Sequence, residues 1–108
     1  MQVISHSQAR EMMAALQGAF LLLDVRHEYE FEQSRIPGAI LLDNDELDPI
    51  KGHPLLPEDL DYPIFIYCRS GRRSNVAARK LDILGYDNVY DFGGILTWPF
   101  EVDDCQCR

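Results

Sequence analysis

Cys68 is followed by Arg69-Ser70-Gly71-Arg72-Arg73-Ser74, so one thiol heads a loop with three arginines, two serines and a glycine. A thiol in such company is a candidate nucleophile. The attacking species is thiolate, and at a helix start or beside cations the pKa of cysteine falls from about 8.5 to roughly 3.5–7.5. Arg69, Arg72 and Arg73 offer positive charge, Ser70 and Ser74 offer hydroxyl donors, and Gly71 gives the backbone a conformation that a side chain would hinder. A loop wrapped around the sulfur would point several backbone N–H groups at it and leave room for a second anion. The plain alternative is a structural cysteine beside a solvated basic turn. The density of arginine, serine and glycine in six residues speaks against it.

Two elements must position this loop. Ile64-Phe65-Ile66-Tyr67 is an unbroken apolar run after Pro63, the pattern of a parallel strand covered on both faces. After the loop, Ala77, Leu81 and Leu84 fall on one helical face, and Gly85 closes the pattern. The cysteine therefore stands where a buried strand ends and a helix begins, and a helix start favours negative charge.

Upstream, Gln2-Val3-Ile4 reads as a short strand. Ser5 and Gln8 have capping-box spacing for a helix with Ala9, Met12, Met13 and Leu16 on its apolar face, ended by Gly18. Phe20 to Leu23 is a second buried strand, which delivers Asp24 and Arg26 at its carboxyl end, where open α/β sheets bind ligands. Asp24 could hold an arginine of the cysteine loop in place, or form an ion pair in a surface turn. His27 to Phe31 is a short helix, Ile36-Pro37-Gly38 a turn, and Ala39 to Leu42 a third strand. Asp43 to Asp61 holds seven acidic residues, one lysine and three prolines, and reads as a solvated stretch with a helical turn near Asp45 to Ile50, anchored by Leu55 and Leu56. A metal site there would want tighter grouping. Asn88 to Phe92 is a fifth strand, broken by Gly93-Gly94, and Ile95 to Phe100 packs back with Trp98 in the core. Alternating strands and helices predict an α/β fold with a mostly parallel sheet and helices on both faces.

The chain has 108 residues and a formal charge of −8. That suits one domain, which buries about 65% of its unfolded surface. Residues 1–102 are expected to form it, with 103–108 as a tail. The negative charge argues against non-specific nucleic-acid or membrane binding, and no apolar run approaches the roughly 20 residues of a membrane span. Yet five of the ten basic residues fall between Arg69 and Lys80, which points to a small anionic ligand beside Cys68. The three cysteines do not suit a disulfide scaffold. No signal peptide is visible; a reducing cytoplasm, which keeps Cys68 a usable thiol, is expected, as is a monomer. His6, His27 and His53 are scattered, and none neighbours Cys68 in sequence. The tail carries Cys105 and Cys107 beside Asp103 and Asp104. A frayed end with two exposed thiols is the reading favoured over a tail thiol that reaches Cys68.

The loop resembles the active-site loop of the rhodanese family of single-domain sulfurtransferases. Leu22-Leu23-Asp24-Val25-Arg26 with Glu30-Phe31 and Ile36-Pro37-Gly38-Ala39-Ile40 is similar to the family's upstream signature, and Phe92-Gly93-Gly94-Ile95 with Trp98 to its closing one. The match runs from about Val3 to Val102. Arg35 departs from it, since a histidine is common before the Ile-Pro-Gly. The resemblance implies a five-stranded sheet and a two-step transfer with neither cofactor nor metal. Cys68 would take sulfur from an anionic donor such as thiosulfate, attracted by Arg69 and Arg72, while Arg73 braces the loop or joins them. Loop N–H groups would stabilise the persulfide, and cyanide, a low-molecular-weight thiol or a protein thiol would accept the sulfur. Some dual-specificity phosphatases share the layout but have a loop one residue longer, with arginine at the sixth position after cysteine. Here that position is Ser74, and Arg73 is the fifth. A persulfide carrier or a partner-binding module is the remaining alternative, and binding modules of this kind often lack the cysteine.

Overall fold

The computed structural model describes residues 1–104. In chain order they form β1 (Gln2–Val3), α1 (His6–Leu16), β2 (Leu21–Asp24), α2 (Glu28–Gln33), β3 (Ser34–Arg35), β4 (Ile40–Leu41), β5 (Ile64–Cys68), α3 (Arg72–Ile83), β6 (Val89–Gly94) and β7 (Asp103–Asp104). Cys105 and Cys107, and the expectations for them, lie outside the described residues.

The five main strands form one parallel sheet in the order β1-β6-β5-β2-β4. Alternation along β5 divides the interior. Ile64, Ile66 and Cys68 face one side and pack with Ala77, Ala78 and Leu81 of α3. Phe65 and Tyr67 face the other, with Ala9 of α1, Leu22, Ile36 and Phe92. All five residues of β5 are buried, and each large apolar side chain so placed contributes about 1.5–3 kcal/mol. Helices therefore cover both faces, as the apolar run of β5 requires.

Ser5 caps α1 with the expected box, since its hydroxyl accepts from the Gln8 N–H while the Gln8 side chain accepts from the Ser5 N–H. Three expectations shift. Gly93 and Gly94 do not break β6 but extend it, and Cys68 pairs with Gly94 across a register irregularity after Ile66. Leu55 is exposed, and Leu47 and Leu56 anchor the acidic stretch instead, because its one helical turn, Asn44–Glu46, drives Leu47 into the α3-side core. Trp98 is half-buried at the edge of the α1-side cluster. Asp103 and Asp104 pair antiparallel with Arg35 and Ser34.

Candidate active site

Cys68 is the last residue of β5, and its side chain turns toward the face that α3 covers. The residue is 1% exposed and its thiol is free. Gly71, at φ 105°, caps α3 and turns its N–H onto the Cys68 Sγ at 2.9 Å. That φ belongs to the left-handed region where glycine meets no Cβ penalty. Of the several N–H donors expected, this one reaches the sulfur.

The loop rests on β6. A Cβ on Gly94 would collide with the backbone carbonyl of Arg69, and the Arg69 carbonyl accepts from the Leu96 N–H at 3.1 Å. Nothing but glycine fits beneath the loop. The Gly94 carbonyl is in turn 3.1 Å from the His6 ring Nε2.

The charged loop residues divide by partner. Arg69 and Arg72 are exposed and make no ion pair among the described residues. Ser70 is exposed too. Arg73 is bound to Glu30 of α2 through two parallel contacts, Nη1–Oε1 at 2.6 Å and Nη2–Oε2 at 3.0 Å. These bonds, with the His27 N–H that Glu30 also accepts, hold the Glu30 carboxyl down at about 2. Arg73 thus braces the loop rather than joining the free charges.

Ser74 departs from its expected part in ligand binding. Its hydroxyl is fully buried and donates to the Asp91 carboxylate at 2.8 Å, with the Gly71 and Gly93 carbonyls nearby. Asp91 also accepts from the Gly93 N–H at 3.0 Å. Through Asp91 the hydroxyl ties the first turn of α3 to the end of β6.

Asp24 does not hold a loop arginine. Its partner is Arg26, two residues on, with Nε–Oδ1 at 2.9 Å and Nη2–Oδ2 at 2.7 Å. Nor is this a surface pair, since Asp24 is 0% and Arg26 4% exposed. Tyr67 donates its hydroxyl to Asp24 at 2.8 Å and accepts from the Ile36 N–H at 3.0 Å. Burial, then the charge of Asp24, push the phenol well above its ordinary range. Burial would lower the guanidinium of Arg26, but the hydrogen bonds and charge of Asp24 outweigh it and raise it. The cluster supports the strand end beside the loop.

On the rim, the His27 Nδ1 lies 2.7 Å from the Asp43 carboxylate, whose hydrogen bond raises the imidazole above its usual range. Asp45 completes a group whose ligand atoms lie within 4.8 Å of one another. Three donors, one already hydrogen-bonded to another, would hold a metal ion incompletely. A cavity of about 590 Å³ opens beside Arg69, walled by Tyr29 and Glu30 of α2 and by Leu96 and Trp98 of the C-terminal segment, with Arg26 in its lining.

Glu30, Asp91 and Gly94 hold the cysteine loop in place, and the sequence reading did not single them out as site residues. Glu30 stood inside the upstream motif without an assigned partner. A carboxylate at position 91, in an otherwise apolar strand, was the available signal for Asp91.

Comparison with known proteins bears on this arrangement. The Rhodanese-like domain profile matches residues 5–99. The chain is 38% identical over 91 residues to an adenylyltransferase and sulfurtransferase UBA4 of Meyerozyma guilliermondii, covering 77% of this chain and 21% of that protein. It therefore spans about a fifth of the length of that fungal relative. A sulfurtransferase of Allochromatium vinosum is 42% identical over 79 residues, covering 72% of this chain and 70% of that one. The crystal structure of a rhodanese-related protein from Thermoplasma volcanium superposes with a TM-score of 0.74 at 25% identity, covering 95% of this chain and 98% of that one.

Proposed function

The chain belongs to the rhodanese-like domain family, and from that premise we propose that it is a sulfurtransferase that carries sulfane sulfur on Cys68. The observation that supports this most directly is the free thiol at the end of β5 with the Gly71 N–H 2.9 Å from its sulfur. Arg69 and Arg72, in the same loop, make no ion pair among the described residues. Only the sulfurtransferase half of the fungal relative's name is carried over.

In the first step the Cys68 thiolate attacks the outer sulfur of a donor such as thiosulfate. The S–S bond of the donor breaks, and sulfite leaves with the electron pair. Arg69 and Arg72 attract the dianion and Gly71 stabilises negative sulfur, while Arg73, fixed by Glu30, keeps the loop in shape. In the second step a thiophilic acceptor, cyanide or a thiol, attacks the outer sulfur and releases Cys68 as thiolate. Neither step calls for a cofactor or metal ion. The protein is proposed to act as a monomer in a reducing compartment such as the cytoplasm, where the thiol stays usable. Among the described residues no helix is long and apolar enough to cross a membrane.

A carrier that hands its persulfide to a protein partner is the second reading. It is favoured by the fungal relative, in which the matching stretch is 21% of a longer chain. A cysteine phosphatase is disfavoured, because position 74 holds a serine whose hydroxyl is committed to Asp91.

Intact mass after exposure to thiosulfate tests the reading. The parent protein gains one sulfur, and folded Cys68→Ser gains none and transfers none to cyanide. Turnover by folded Cys68→Ser would overturn it.

A further inference from the structure

β6 runs on past its neighbour β1. The two strands pair at Tyr90 and Asp91, and beyond that register the Ile4 N–H donates to the Asp91 carbonyl at 3.0 Å. β6 then continues to Gly94, while the other chain turns into α1 under the Ser5 cap. That turn brings in a side chain after the strand has ended. His6, the first residue of α1, places its ring Nε2 3.1 Å from the Gly94 carbonyl, 88 positions away. A carbonyl only accepts, so Nε2 carries the proton and the neutral ring is the Nε2–H tautomer. The imidazole is also fixed in plane by two edge contacts, with Trp98 at 5.4 Å and with Phe92 at 6.1 Å between ring centres.

The peptide that His6 holds is the floor of the cysteine loop. Gly94 pairs with Cys68 in the sheet, and the Arg69 backbone lies so close that a Cβ on Gly94 would collide with it. Gly71 rests on the adjoining Gly93, whose Cα is 3.5 Å from where a Gly71 Cβ would stand. Leu96, two residues past Gly94, donates its N–H to the Arg69 carbonyl at 3.1 Å. A shift of Gly94 is therefore passed to Arg69 and Gly71, and Gly71 carries the N–H that meets the Cys68 sulfur at 2.9 Å. Such a bond is sensitive to aim, since it weakens steeply once its angle falls below about 120°.

We propose that His6 is a positioning residue for Cys68. It fixes the Gly94 peptide, the peptide supports the loop, and the loop aims the Gly71 N–H at the sulfur. The role belongs to the Nε2–H donor and not to the bulk of the ring. Donor capture is separate from it, because the exposed charges of Arg69 and Arg72 act over distance and need no such aim. This rests on the sulfurtransferase reading above and adds to it a residue far from the loop in sequence.

Two variants of the whole protein separate the donor from the bulk. His6→Phe keeps an aromatic ring for Phe92 and Trp98 and loses the donor. His6→Gln keeps an N–H near the Nε2 position and loses the aromatic contacts. At equal folded fraction, His6→Phe should lower kcat for thiosulfate-to-cyanide transfer about tenfold, the upper end for one hydrogen bond, with the KM for thiosulfate little changed. His6→Gln should recover most of that kcat. A ring that serves only for packing predicts the reverse order, with His6→Phe active and His6→Gln impaired. The parent protein supplies a measurement that needs no variant. At a pH where the imidazole is neutral, a nitrogen–proton correlation spectrum should show His6 as the Nε2–H tautomer. An Nδ1–H ring, or full kcat in folded His6→Phe, would overturn the positioning role and spare the sulfurtransferase reading. A parent protein that takes up no sulfur from thiosulfate would overturn both.

Discussion

β2 and β5 lie side by side, with Asp24 opposite Tyr67, and leave the sheet at the same end. Their exits are built in opposite ways. After β2 every strong charge is matched at once, since Asp24 takes two nitrogens of Arg26 and the hydroxyl of Tyr67 in a buried cluster. After β5 the backbone turns outward, the sulfur has one N–H donor, and Arg69 and Arg72 stand exposed. The first exit consumes nearly all its polar capacity internally and becomes rigid. The second leaves capacity open, which an anion can complete. Similar residue types thus do different work according to whether a partner already occupies them.

Breaking the closed exit should have the largest effect. Asp24→Ala leaves Arg26 buried without its carboxylate, and loss of one partner of such a pair costs about 3–5 kcal/mol. Urea unfolding should show that loss, while the fraction of folded molecules that take up sulfur stays near the parent's. A stable variant that no longer takes up sulfur would erase the distinction between the two exits.

Glu30→Gln strikes the brace between them. It should cost roughly 1–3 kcal/mol, as for a hydrogen bond to a charged group with its partner left behind. It also has a pH signature. The ordinary carboxyl pKa of glutamate is about 4.3, and that of Glu30 is held at about 2 by Arg73. Its contribution is full above the ordinary value and fades as pH falls from there through about 2. Stability measured across that range should fall less steeply in Glu30→Gln than in the parent. Identical acid limbs would show that the fork contributes nothing.

The smallest effect belongs to the open exit. Arg72→Ala should raise the KM for thiosulfate about threefold, in the middle of the range for an exposed charge, with alkylation by a neutral reagent unchanged. Added salt should weaken thiosulfate use by the parent through screening. An unchanged KM would leave donor binding to the backbone and Arg69.

Much of this could be read along the chain because it is local. The run Ile64 to Tyr67, the capping box at Ser5 and Gln8, and the cysteine at a strand–helix junction each depend on neighbours within a few residues. What escaped was long-range pairing. Asp24 and the loop arginines leave the sheet at the same end, but Arg26 lies two residues away and takes Asp24. Arg73 therefore pairs with Glu30, 43 positions distant. Ser74 looked like a ligand donor because its spacing from Cys68 was visible and the carboxylate at Asp91 was not. The Gly93-Gly94 pair looked like a strand break, since glycine usually weakens strands. Its reason lies across the sheet, in the close approach of the Arg69 backbone.

That contact sets a timetable for synthesis. Gly94 is the floor on which the cysteine loop rests, and it is made 26 residues after Cys68. A nascent chain that has emerged only through α3 carries the thiol without its support, and β1 still lacks β6, its partner in the sheet. The anion cradle is therefore assembled late, when β6 slides between β1 and β5. Until then the loop after Cys68 has no floor, so its native turn is fixed only when the sheet is nearly complete.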